Sequence, residues 1–157
     1  MDERLPWIQP IGDALVKGLN RIGVRSGPVV VLTLNGRHTG ELRSTPVTPI
    51  EVGGRTYVVA AIGTANWAQN ARADGDAAIQ RRQDIEAVRL VEVTDPAQKV
   101  RIVVEFGTHG GRGMAGRFLK MVGAAPERTP DGFAKAAPET AVFEVVPVKI
   151  DERVGAA

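Results

Sequence analysis

Two arginines, Arg37 and Arg43, stand on either side of a short glycine-containing segment that reads Asn35-Gly36-Arg37-His38-Thr39-Gly40-Glu41-Leu42-Arg43-Ser44-Thr45-Pro46. A guanidinium group is a planar fork of donors that matches the paired oxygens of a phosphate or a carboxylate. His38, Thr39 and Ser44 place an imidazole and two hydroxyls in the same short window. Asparagine and glycine reach positive φ at little cost, so Asn35-Gly36 predicts a tight turn and Gly40 a second left-handed position. A loop bent in this way also presents backbone N–H groups. The chemistry on offer is an anion cradle between two strands.

No catalytic residue is evident beside it. The chain has no cysteine, which excludes disulfides, thiolate chemistry and thiolate metal sites. Its two histidines, His38 and His109, are too few for a histidine-rich zinc site, and no metal is expected. Neither is paired in sequence with a nucleophile, and a lone histidine more often makes a hydrogen bond or faces solvent. An enzyme equipped like this works when a bound cofactor carries the difficult step and the protein supplies orientation, electrostatics and a dry pocket. The composition is that of an ordinary globular protein, 43% apolar and 24% charged. A net charge of +2 gives no case for nucleic-acid binding. No apolar run approaches the roughly 20 residues that cross a bilayer, and Asp2 and Glu3 do not suit a secretory signal. The expectation is a cytoplasmic protein.

The elements that position the cradle follow from periodicity. Val29 to Leu34 predicts a first strand. A second runs from Ser44 to Val52, with Pro46 and Pro49 suggesting an edge or a bend. Gly53-Gly54 closes a hairpin onto a third strand, Thr56 to Ile62. Ala60 and Ala61 at its end either admit a flat ring or fill a crowded barrel interior. Asn66 to Ala73 predicts a short helix with Asn66 as its cap and with Trp67 and Asn70 on one face. Two strands follow, over 77–83 and 85–93. Asp95-Pro96 begins a helix reaching about Phe106. Residues 108–113 read as a glycine-rich hinge, and 114–122 as a short helix. Residues 124–139 are without pattern. Ala141 to Ile150 is a last strand, with Pro147 marking an edge or a bend.

Ahead of all this, Ile11, Leu15, Leu19 and Ile22 fall at helical spacing over 10–22. That helix either packs on the barrel or, with Trp7, Ile8, Lys17, Arg21 and Arg25, lies on a membrane surface. The sum is a mainly β protein with peripheral helices, a six-stranded antiparallel barrel. It reads as one domain over 1–157: an N-terminal helical segment (1–26), a barrel core (28–93), a helical insertion (94–123) and the last strand (140–150).

The stretch Gly36-Arg37-His38-Thr39-Gly40-Glu41-Leu42-Arg43-Ser44-Thr45-Pro46 resembles the cofactor loop of the deazaflavin (coenzyme F420)-dependent nitroreductase and quinone reductase family, roughly Gly-Arg-basic-Ser/Thr-Gly-x-x-Arg-x-x-Pro. Asn66-Trp67-Ala68-Gln69-Asn70-Ala71-Arg72-Ala73 resembles that family's second signature, a short helix with a Trp and an Asn three residues later. The resemblance covers residues 28–93 best. It implies a split β-barrel of the FMN-binding-protein type and an enzyme that transfers a hydride from reduced F420. The acceptor would be hydrophobic: a quinone, an enone or an unsaturated lipid.

By the same resemblance Arg37, His38, Thr39 and Arg43 hold the cofactor's phosphate and the start of its acidic tail. Pro46, Ala60, Ala61, Ile62, Gly63 and Trp67 line the ring, and Asn70 gives it a hydrogen bond. The sequence departs from the pattern at His38, where Lys is common, at Leu42, where Pro is common, and at Gly63, where some members carry Lys. Ala68 stands where nitroreductase-type members often have Tyr. Two alternatives share these features: a non-catalytic deazaflavin or lipid binder, and a split barrel that binds FMN. On the substrate side Met114, Phe118, Met121 and the N-terminal helix are candidate walls, or else simply the apolar face of packed helices. The expected partner is a small hydrophobic substrate, the assembly a monomer or a homodimer, and the location cytoplasmic or peripheral to the inner face of the membrane.

Overall fold

The computed structural model describes residues 28–148, so the expected helix over 10–22 and the end of the last expected strand lie outside the described residues. Among the described residues there are seven strands: β1 (Val30–Asn35), β2 (Leu42–Val47), β3 (Ile50–Val52), β4 (Arg55–Ala60), β5 (Asp76–Arg81), β6 (Asp84–Glu92) and β7 (Ala141–Pro147). All pairings are antiparallel, in the order β2-β1-β5-β6-β7-β4-β3.

The seventh strand arises because the expected second strand is two. Pro49 has no N–H to donate and restricts Thr48 before it, so the ladder stops there. After the break β3 turns back through Gly53 and Gly54, at φ +60° and +79°, to pair with β4. This places β2 and β3 at opposite edges of the sheet. Only Thr48 and Pro49 separate them, and that length of chain reaches about 11 Å at most. The sheet therefore curls until its two edges approach, with no ladder joining them. It is a split barrel.

Inside the curl, alternate residues of the central strands meet: Leu32 and Leu34 of β1, Ile79 of β5, Val88 of β6, Val58 of β4 and Phe143 of β7. A second apolar cluster lies on the other face of β4 and β7, where Tyr57, Val59 and Val142 pack against the helices. Those helices are α2 (Pro96–His109), α3 (Met114–Met121) and α4 (Pro130–Ala136), while α1 (Asn66–Ala73) packs on the barrel interior. α2 begins as expected, with the Asp95 carboxylate accepting from the Gln98 N–H at 2.9 Å and Pro96 in the first turn.

Three expectations need correction. Residues 108–113 are not an open hinge. α2 continues to His109, and a tight turn (Gly110–Gly113) follows, with Gly111 and Arg112 left-handed at φ +57° and +59° and with Gly110 and Gly111 buried. The reason is packing: a side chain at Gly107 would collide with the Phe133 ring, which fills the space between α2, α3 and α4. Residues 124–139 are not without structure either. Thr129 caps α4, its hydroxyl accepting from the Gly132 N–H at 3.1 Å, with Pro130 in the first turn. The pair Thr129-Pro130 was a legible start signal. Finally, β7 lies between β6 and β4, and Pro147 is its last residue rather than the mark of an edge strand. Pro46 does lie on an edge strand, β2.

Candidate functional site

β1 runs out at Asn35, and the loop to β2 closes through backbone bonds. The Gly36 N–H donates to the Glu41 carbonyl at 2.7 Å, and the Gly40 N–H to the Gly36 carbonyl at 2.9 Å. Gly40 is left-handed at φ +77°, as the sequence suggested, but neither Asn35 nor Gly36 is. Gly36 is needed for another reason: a Cβ there would stand 3.0 Å from the Glu41 carbonyl oxygen. The Thr39 hydroxyl accepts from the Glu41 N–H at 3.2 Å and stiffens the bend.

Opposite the loop stands α1. Asn66 is its first residue rather than its cap, a position taken by Ala65 without a side-chain bond. Asn70 is 5% exposed, and its Oδ1 accepts twice from Arg37, from the backbone N–H at 3.1 Å and from Nη1 at 2.8 Å. Longer contacts run from the same guanidinium to the Asn66 carbonyl (3.4 Å) and to its Oδ1 (3.5 Å). The arginine loop is thereby tied to a helix 33 residues further along the chain.

Between loop, β2 edge and helix lies a cleft of about 420 Å³, within the range of small-molecule sites. Of the residues the sequence singled out, Arg37, His38, Thr39, Arg43, Ser44, Trp67 and Asn70 line it together. Leu34, Gly36, Thr45 and Asn66 join them. Thr45 was within reach of sequence reasoning, since it sits inside the motif. Arg43 and Thr45 pair across from Leu34 and Leu32, and so face the barrel side of the sheet.

Among the described residues no carboxylate lines the cleft. Glu41 pairs with one of its arginines, the Oε2 lying 3.3 Å from Arg43 Nη2 with both side chains mostly exposed. Such a pair contributes little and is readily exchanged for a ligand anion. Trp67 presents two surfaces. One part of the ring packs on the interior cluster, with its centroid 5.7 Å from that of Phe143, and another forms the cleft wall.

The other expected ring-lining residues are not brought to this cleft. Pro46 is exposed on β2, and Ala60 and Ala61 are buried, in the interior and helix-side clusters respectively. Ile62 is 53% exposed in the turn that leads into α1, closed by the bond from the Ala65 N–H to its carbonyl. Gly63 is packed against the start of β7, where a Cβ would meet the Glu139 carbonyl at 2.9 Å. Its own carbonyl accepts from Arg72 Nη1 at 2.9 Å.

Arg72 went unnoticed in the sequence. It forms a two-point pair with Glu92 (3.0 and 2.9 Å) and lies 6.0 Å from the Phe143 ring centroid. The hydrogen bonds it donates to Glu92 raise its pKa above the ordinary arginine value, against a smaller opposing effect of burial. It joins the end of α1 to β6 and to the turn before the helix. His109 is exposed and 4.0 Å from Glu105, away from the cleft. Met114, Phe118 and Met121 do not line the cleft either; they are exposed on α3.

Comparison with known proteins decides the family. Residues 16–106 match the family model described as F420H(2)-dependent quinone reductase. The chain belongs to this family. It is thus an F420-dependent reductase, as the two motifs implied, and the matched span takes in the arginine loop, α1 and most of α2. Among curated proteins none matches the sequence.

The fold is shared more widely. A protein from Listeria innocua, described as a candidate pyridoxamine 5'-phosphate oxidase, is similar over 90% of this chain and 96% of its own, at 14% identity and a TM-score of 0.50. A general stress protein 26 relative of the pyridoxinephosphate oxidase family from Clostridium acetobutylicum is similar over 87% and 84%, at 9% identity and a TM-score of 0.52. An F420-H2 dependent reductase, FDR-A, is similar over 75% and 93%, at 18% identity and a TM-score of 0.44. Among the described residues no helix is long and apolar enough to cross a membrane, and no cluster of acidic or histidine side chains could hold a metal.

Proposed function

We propose that this reductase transfers a hydride from reduced coenzyme F420 to a hydrophobic acceptor, of which quinones, enones and unsaturated lipids are the candidates. The observation that carries the reading is the cleft itself: two guanidinium groups, an imidazole and hydroxyls on one side, the Trp67 ring on the other, and no carboxylate among them. Such a donor set fits a cofactor with an anionic tail and a flat aromatic head. When bound, the deazaflavin supplies the two-electron chemistry.

The residues of the chain divide the binding work. Arg37 is a fixed wall, because Asn70 holds both its backbone and its guanidinium. Arg43 and His38 are the more adaptable donors, exposed at the rim, where Arg43 exchanges Glu41 for a phosphate oxygen. Thr39 and Ser44 add hydroxyls, and Trp67 offers a flat apolar surface for the ring. Of the remaining expected contacts, Pro46 and Ile62 present exposed side chains to a ring that extends beyond the cleft. Ala60, Ala61 and Gly63 act behind them by keeping the turn into α1 compact.

The test is a fluorescence titration with oxidised F420 and, in parallel, with flavin mononucleotide, followed by reduced-cofactor oxidation with a panel of quinones and enones. Selective deazaflavin binding at micromolar Kd or tighter, about −8 kcal/mol, weakened in Arg43→Ala, supports the cofactor site. Tight binding without turnover on any acceptor would leave a carrier rather than an enzyme. Binding of the flavin alone would refute the site as drawn.

A further inference from the structure

Among the described residues nothing covers the outer face of α3. Met114, Phe118 and Met121 recur there at intervals of four and three residues, and they are 65%, 47% and 76% exposed. On the same helix Ala115, Gly116 and Leu119 are buried against α2 and Phe133. The helix is therefore held in place by one face while it displays a second apolar row to solvent. A row of three large side chains on so short a helix is not explained by packing.

Its charges are equally one-sided. Arg112, Arg117 and Lys120 are exposed around the row, and no acidic residue occurs between Glu105 and Glu127. Elsewhere Arg43 pairs with Glu41, Arg55 with Glu144, Arg72 with Glu92 and Arg89 with Asp76, while Arg81, Arg82, Arg101 and Arg128 are exposed without such a pair among the described residues. Among the described residues none of the three bases around α3 pairs with a carboxylate, and Lys120 donates only to the Pro126 carbonyl, at 3.3 Å. Among the described residues no acid supplies the negative complement of this face.

We infer that this face of α3 docks on an anionic lipid bilayer. The pattern of a basic rim around flexible methionines and one aromatic suits the boundary between headgroups and acyl chains, where the helix would lie in the plane of the surface. A second copy of the chain fits less well. A helix of eight residues is about 12 Å long, and three side chains upon it offer only a fraction of the roughly 800 Å² per partner that a stable protein interface buries. A bilayer needs no matching shape. The inference rests on α3 alone and stands whether or not the cofactor reading does. The place is also suggestive: the turn that starts α3 touches Thr48, directly after β2, with a Cβ at Gly111 reaching to 3.3 Å of the Thr48 methyl.

Vesicle co-sedimentation tests it, using the full chain with phosphatidylcholine vesicles containing about a third phosphatidylglycerol and with pure phosphatidylcholine. The wild type is expected to sediment with the anionic vesicles and to dissociate as salt rises from roughly 50 to 500 mM. Phe118→Ser with Met121→Ser is expected to lower the partition coefficient about tenfold. Arg117→Glu with Lys120→Glu is expected to abolish the preference for anionic vesicles. All four positions are exposed, so melting temperatures should stay within a degree or two, and that is the control for folding. Absence of binding to anionic vesicles overturns the inference. So does binding unchanged in both double variants, which would move the membrane contact to another part of the chain. Self-association in light scattering that the Phe118→Ser, Met121→Ser variant removes, with no vesicle binding, would assign the face to a second copy instead.

Discussion

Replacing Asn70 separates what holds the site together from what the site holds. Asn70 Oδ1 accepts from the Arg37 backbone N–H and from Nη1, the second a charge-assisted bond at 2.8 Å, in a side chain 5% exposed. Asn70→Ala removes this shared acceptor and leaves both Arg37 donors without it. One neutral and one charge-assisted bond together cost about 2 kcal/mol. For a chain of this size that lowers the melting temperature by about 6 °C. Loosening of Arg37 should also weaken F420 binding by roughly tenfold, or 1.4 kcal/mol.

Asn70→Asp behaves differently. The carboxylate keeps the acceptor and strengthens the bond to the guanidinium, so the melting temperature should be unchanged or higher. Yet it brings a negative charge to about 6 Å from an anion seated beyond Arg37. At an effective dielectric near 20, and allowing for solvent in the open cleft, the repulsion is about 2 kcal/mol, roughly thirtyfold in Kd. The assay is a pair of measurements on each variant, thermal unfolding and fluorescence titration with oxidised F420. An Asn70→Ala protein that melts with the wild type would show that the Arg37 bonds do not contribute in solution. An Asn70→Asp protein that binds as tightly as wild type would remove the anion from this cleft.

Other consequences can be checked with the same two measurements. Glu41→Gln frees Arg43 from its exposed partner and should tighten F420 binding by up to about fivefold, the scale of a surface pair, with a loss of affinity counting against the exchange. Gly107→Ala forces a methyl into the Phe133 ring and should destabilise by at least about 2 kcal/mol; a wild-type melting temperature would mean that α2 and α4 are less closely packed than described. Thr129→Ala removes the cap of α4 at about 1 kcal/mol, while Thr129→Ser should leave the melting temperature within a degree or so. A double-mutant cycle on Arg72 and Glu92, a partly exposed two-point pair, should give a coupling of about 1 kcal/mol; no coupling would mean that the bidentate geometry does not persist.

Much of this protein could be read in short windows of sequence. The left-handed pair Gly53-Gly54, the Asp95-Pro96 helix start, the alternation of β6 and the anion motif from Gly36 to Pro46 each express the preferences of neighbouring residues. Such features depend on φ, on caps and on side-chain chemistry, all of which act within a few positions. Proline was legible only in part. A missing N–H is satisfied at an edge, at a break or at a strand's last residue, and the chain uses all three, at Pro46, Pro49 and Pro147.

Tertiary structure decided the rest. It set β2 and β3 at opposite edges of one curled sheet, brought Asn70 to Arg37 across 33 residues, and parted Ala60 and Ala61 from the cleft. It also decided that Leu119 is buried and Phe118 beside it is half exposed. Helical spacing on α3 marks two apolar rows without saying which one the fold will cover. That choice depends on where α2 and Phe133 already stand, because burial is a property of surfaces that meet and not of the residues that carry them.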